Sequence, residues 1–225
     1  MTFRRRPKIV FVTTLIAATI TALLVAATPA GAHLESSAAQ RQGQPVIIGT
    51  PHWPAPPADQ VLALVKKAGL KAEPAELLRY HVHSHLDIFI DGNFQIIPGG
   101  IGIVITDPAV HSGLILGQPA YGSIDPPCKH ACISPLHTHD VTGILHTESA
   151  TRKNYTLAQF FTEWNVRLDA NCVGEFCTPQ TKIAVYVNGK RKPLASASKI
   201  TLSDRKEIAI VIGQRPKRIP SKVPF

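Results

Sequence analysis

The sequence predicts an α+β fold, mainly β, with one amphipathic helix packed on a mixed sheet. Three observations carry this. Tyr80 to Ile90 alternates polar and apolar residues and runs into Asp91-Gly92, the pattern of a strand entering a hairpin. Ile183-Ala184-Val185-Tyr186-Val187 ends in Asn188-Gly189, a second hairpin signal. Between them, Thr156 and Gln159 form a capping box ahead of Leu157, Phe160, Phe161 and Trp164. Those four fall at i, i+3, i+4 and i+7, a single apolar stripe that belongs against a core.

The chain divides into four parts. Residues 1–32 read as an export signal. Arg4, Arg5, Arg6 and Lys8 precede an uncharged stretch from Ile9 to Ala27, and Ala30-Gly31-Ala32 is a small-x-small cleavage site. The stretch is long enough to cross a bilayer, so an uncleaved anchor is the alternative. Residues 33–57, rich in Ala, Gln, Ser and Pro, read as a flexible linker. Residues 58–213 form one histidine-rich domain, and 214–225 a basic tail.

Within the domain, Ala58 to Lys71 predicts a short helix with Val61, Leu62, Val65 and Ala68 on one face, ended by Gly69. The histidine strand and its turn lead to a strand at Phe94–Ile97. Pro98-Gly99-Gly100 breaks it, and Ile101–Ile105 starts another. Asp107 to Pro135 is loop-rich. Strands follow at Val141–Glu148, Lys182–Val187 and Glu207–Ile212.

The order of strand pair, helix, hairpin and final strand resembles the β-grasp fold of ubiquitin-like and sulfur-carrier proteins. Ile183 to Gly189 and Ile200 to Val211 carry that likeness over the C-terminal third. A sulfur carrier ends in Gly-Gly; this chain ends Val223-Pro224-Phe225, which argues against carrier chemistry. The domain also resembles a family of exported bacterial and archaeal proteins without an assigned activity. The motifs are Tyr80 to Leu86, Ile97-Pro98-Gly99-Gly100-Ile101-Gly102-Ile103, Leu136 to Ser149, and Tyr155 to Phe161.

Six of the ten histidines sit in two short segments: His81, His83 and His85, then His137, His139 and His146. Residues two apart on a strand share a face, so His81, His83, His85 and Asp87 face one way and Val82, Leu86, Ile88 and Ile90 the other. Imidazole is the commonest protein metal ligand. Same-face neighbours lie about 6.5–7 Å apart, so two of the first three can share an ion and all three are strained to. The sequence therefore predicts His83 with His85, completed by His137, His139 or His146, around one divalent zinc or copper ion. Asp87, Asp140 and Glu148 are candidates to orient the imidazoles, and Glu148 or Asp140 to act as a general base. His52, His111 and His130 are isolated and read as structural or exposed. His33 would become the first mature residue, and Ala32 to Ser37 faintly resembles the mature start of CopC-type periplasmic copper proteins.

Three function classes follow: an extracytoplasmic metal-binding protein, a zinc-dependent hydrolase- or hydratase-like enzyme, and a β domain with unmetallated histidines. The chain lacks a helical His-Glu-x-x-His, a Gly-rich phosphate loop and a Gly-x-Ser-x-Gly elbow. Its net charge of +9 is less telling than it looks. Four of the 24 basic residues lie in the signal, leaving 20 against 15 acids and a net +5. No nucleic-acid module is present. The expected partner is a metal ion, with membrane contact only through an uncleaved N-terminus.

Cys128, Cys132, Cys172 and Cys177 make an even set in an exported chain, which predicts disulfides in one of three connectivities. A cysteine metal site around His130 is the lesser alternative. Thiol titration of the denatured, unreduced protein should find no free thiol. Four reactive thiols would refute both the disulfides and the oxidising compartment.

Overall fold

A computed structural model describes Ile47 and residues 49–225. The signal or anchor segment, His33 and the start of the linker lie outside the described residues. The domain is an α+β structure, mainly β. The first helix, α1, is Val61–Lys67, preceded by a 3-10 turn at Ala58–Gln60. The strands before the second helix are β1 (Tyr80–Ile90), β2 (Asn93–Gln95), β3 (His111–Ile115), β4 (Gln118–Gly122), β5 (Leu136–His137) and β6 (Ile144–Ser149). Helix α2 is Leu157–Glu163. After it come β7 (Cys172–Val173), β8 (Phe176–Cys177), β9 (Ile183–Val187), β10 (Lys190–Lys192) and β11 (Lys206–Ile212).

The main sheet runs β10-β9-β11-β1-β6-β5, with β2 also paired to β1. β1 is its hub. It is parallel to β11 and antiparallel to β6 and β2, so the sheet is mixed. The alternation read from the sequence sets the two faces. Leu86 and Ile88 point into the core and are fully buried. Against them α2 lays Leu157, Phe160, Phe161 and Trp164, each at most 1% exposed. The capping box forms as expected: the Thr156 hydroxyl accepts from the Gln159 N–H, and the Gln159 side chain accepts from the Thr156 N–H. At the β9–β10 turn Asn188 and Gly189 take φ of 49° and 74°, the left-handed pair that a type I′ hairpin needs.

Several expectations are corrected. Leu62 is 44% exposed, and Leu64 instead completes the buried face of α1 with Val61 and Val65. Ile101–Ile105 is not a strand. Its glycines turn the chain, while Ile101 and Ile103 are buried and Ile103 makes an isolated bridge to Ile133. The loop-rich stretch contains the β3–β4 hairpin, and β5 lies where no strand is predicted. The end of the linker is packed, because Trp53 is a large aromatic that the core can take. Its ring lies 5.9 Å from that of Trp164, whose indole N–H donates to the Trp53 and Pro54 carbonyls. The disulfides are local: Cys128–Cys132 and Cys172–Cys177.

Replacing Phe160, fully buried at the centre of the α2 stripe, leaves a cavity. Phe160→Ala should lower unfolding free energy by about 3–5 kcal/mol in urea titration. A loss under about 1 kcal/mol would mean α2 is not packed on this sheet.

Candidate metal centre

Strand register assembles the histidines. On the face of β1 opposite the core, His83 is paired with His146 of β6, and His146 with His137 of β5. Three imidazoles therefore stand in one row across three neighbouring strands. One step along, His81 is paired with Glu148. His139 follows His137 just past the end of β5. The rings pack together, with centroids 4.5 Å apart for His81–His83 and His83–His146, 4.3 Å for His139–His146 and 4.6 Å for His137–His139.

Glu148 sits among them, 3% exposed. Its Oε1 is 3.1 Å from His81 Nε2, 3.2 Å from His146 Nδ1 and 3.8 Å from His137 Nε2. Its Oε2 is buried without a hydrogen-bond partner. Glu76, from the loop before β1, places Oε1 3.7 Å from His139 Nε2.

Two backbone carbonyls fix the tautomers of the inner pair. His137 Nδ1 lies 2.8 Å from the Ser134 carbonyl, and His139 Nδ1 2.6 Å from that of Tyr121. A carbonyl only accepts, so both Nδ1 atoms carry hydrogen. In the neutral rings both Nε2 atoms are then bare lone pairs, yet they face each other at 3.1 Å. Two acceptors at that distance need a cation between them. At a zinc–nitrogen distance of 2.0–2.1 Å, tetrahedral ligands stand about 3.3 Å apart, close to what is seen here.

His137 is a poor carrier for a proton in that role. Complete burial, then the charge of His139, holds His137 well below the usual imidazole range. Burial and the neighbouring histidines push His146 down to about 2. Burial and the proximity of His81 also lower His83. His83, His137 and His146 are thus held toward the neutral, ligand-ready form beside the buried Glu148.

The glycine-rich turn explains how the second histidine segment is held. Gly100 N–H donates to the Thr138 carbonyl, Thr138 N–H to that of Ile101, and the Thr138 hydroxyl to that of Pro98. A Cβ on Gly99 would meet the His139 carbonyl at 2.7 Å, and one on Gly102 the Leu136 carbonyl at 2.6 Å. Only glycines let the two segments run this close. Strand β4 clamps the other side: Tyr121 N–H donates to the His139 carbonyl while its own carbonyl holds the ring.

His85 departs from the expected pairing with His83. It shares their face, but the parallel partner β11 sets Glu207 opposite it. Its Nδ1 is 3.0 Å from Glu207 Oε2 and 3.7 Å from Asp87 Oδ2, while Nε2 donates to the Thr142 carbonyl. Burial opposes its protonation, but the Glu207 hydrogen bond and charge prevail and raise its pKa. Burial raises Asp87 to about 7. His85, Asp87 and Glu207 form a separate buried group. His81 takes the place intended for His85, so the strand still contributes two adjacent histidines. Asp140 turns away from the imidazoles, and its Oδ1 accepts from Thr142 N–H. His52 pairs with Glu175 at 2.7 Å and His111 with the Asp125 carbonyl, both structural.

Among the described residues, one set of mutually close donors is His137, His139, His146 and Glu148; a second is His81, His83 and His146. A cleft of about 540 Å³ lined by Leu70, Tyr155 and Gln159 has none of these imidazoles in its wall. No protein-family model matches the chain, and no curated protein or solved structure matches it either.

The charge state of His146 has a measurable consequence in metal-free protein. Its folded pKa lies below the unfolded value of 6.5, so its contribution is complete above pH 6.5 and is lost as pH falls through 6.5 toward about 2. His146→Gln removes this titration. Below pH 6.5 the stability of wild type relative to H146Q should fall by about 1.4 kcal/mol per pH unit. A difference constant from pH 7 to 5 would show that His146 titrates normally.

Proposed function

We propose that this chain is an extracytoplasmic metal-binding protein. It uses histidines on adjacent strands to hold divalent zinc or copper. The observation that carries this is the close approach of the Nε2 atoms of His137 and His139, 3.1 Å apart, with His137 in a position where burial opposes protonation. The carboxylate of Glu148, with one oxygen unpartnered, supplies negative charge that an ion would balance. Imidazole with one carboxylate suits zinc and copper(II) better than magnesium or calcium.

Export is supported by the basic, uncharged and small-residue segments of residues 1–32 and by two disulfides. No helix among the described residues is long and apolar enough to cross a membrane. The β-grasp reading is supported by the topology. β1 and β11, the first and last strands of the main sheet, form its central parallel pair, and α2 follows β6 before β9. On this reading the likeness extends from β1 to β11 rather than over the C-terminal third alone. The exported family with the same histidine motifs is our proposed grouping for the chain.

Untagged protein should bind zinc or copper(II) tightly at micromolar concentration and neutral pH. His137→Ala with His139→Ala should weaken binding at least 100-fold, read by competition with a chromogenic chelator. Wild type that binds neither metal would refute this function; a variant of unchanged affinity would remove these two residues as ligands.

A further inference from the structure

Five imidazoles and a carboxylate in mutual contact are more donors than one tetrahedral ion takes. We propose that the centre holds two divalent ions, an inner one on His137 and His139 and an outer one on His81 and His83, with His146 and Glu148 shared between them. This rests on the metal-binding function proposed above. It differs from that reading in assigning a second ion and a division of labour.

The donor atoms fall into two sets of this kind. His137, His139, His146 and Glu148 lie within 4.8 Å of one another, and so do His81, His83 and His146; only His146 belongs to both. Its ring stands between the pairs, stacked 5.4 Å from His137 on one flank and 5.8 Å from His81 on the other. A carboxylate has two oxygens and can join two ions directly; an imidazole joins two as the imidazolate, its N–H proton being released to solvent when the second ion binds. Glu148 Oε1 approaches both sets, at 3.1 Å from His81 and 3.8 Å from His137. The outer pair repeats the close approach of the inner one, with Nε2 atoms of His81 and His83 only 2.8 Å apart.

The two halves differ in access. The His137 side chain is fully buried, whereas that of His81 is 35% exposed. The inner ion has four protein donors and no path to water through His137, the closed form of a structural site. The outer ion has His81 at the solvent edge, with His83 beside it and His146 and Glu148 shared. The outer ion is thus the exchangeable one.

Zinc content of untagged protein, saturated with zinc and dialysed, should be two per chain. His81→Ala with His83→Ala should reduce it to one, with the circular dichroism of wild type. The more conservative His81→Gln with His83→Gln covers any failure of the alanine pair to fold. A brief exposure of wild type to a weak chelator should likewise remove one ion and leave one. One zinc in wild type overturns the second ion and leaves the metal-binding function standing. Two zincs in the His81/His83 variants also overturn it, because the second ion would lie elsewhere, as at His85. No zinc in wild type defeats both.

Discussion

The centre of this structure is constrained by the close approach of His137 and His139, whose Nε2 atoms lie 3.1 Å apart. Each ring is pinned from behind by a carbonyl, Ser134 on one side and Tyr121 on the other. Neither can rotate away without stranding a buried N–H, which costs roughly 1–3 kcal/mol. The close approach is therefore built in, and much of the surrounding chain serves to hold it. The glycines of the 98–102 turn admit the 136–140 segment, β4 clamps His139, and β6 brings His146 and Glu148 alongside.

The face of β1 that bears the site was legible in the sequence because strand periodicity is local. Alternation alone separates His81, His83 and His85 from Leu86 and Ile88, and those two are indeed core. Helix α2 was legible for the same reason, since its cap and stripe lie within nine residues. Which histidines converge was not legible, because that depends on register with strands far along the chain. β6 sets His146 against His83, and β11 sets Glu207 against His85. No spacing within Tyr80–Asp87 encodes either partner. Glu76, Glu207 and the Tyr121 carbonyl were missed on the same ground. They act through the fold, and no motif surrounds them. The β3–β4 hairpin was missed because its glycines and proline dilute the strand pattern.

The two neighbours His83 and His85 show how one strand face can hold opposite charge states. Burial acts on both in the same direction, toward the neutral ring. What separates them is the company each keeps. His83 faces other imidazoles, which add to the cost of a proton. His85 faces Glu207 and Asp87, which together more than offset its burial. The boundary between them coincides with the change of pairing along β1. Residues 80–85 pair with β6, while 84–90 pair with β11.

That change of pairing partitions the domain's work. In the His85, Asp87 and Glu207 group a histidine is hydrogen-bonded to one carboxylate, with a second carboxylate held up to about 7 beside it. It joins β1 to β11 beneath the surface, with Glu207 Oε1 buried and without a hydrogen-bond partner. The His81, His83, His137, His139 and His146 group has two carboxyl groups, Glu148 and Glu76, among five rings, and its most buried rings, His137 and His146, resist protonation. A second buried acid reinforces the contrast. Glu163 of α2 is raised well above the ordinary carboxylate range by burial and lies 2.5 Å from the Ser134 hydroxyl, on the residue whose carbonyl fixes His137. The helix thereby braces the Ser134 segment that holds His137 through a neutral contact and adds no charge to the cluster. The metal-ready character of the cluster thus comes from an unequal distribution of acids: two beside one histidine at the parallel pair, and two, Glu148 and Glu76, for five histidines at the antiparallel edge.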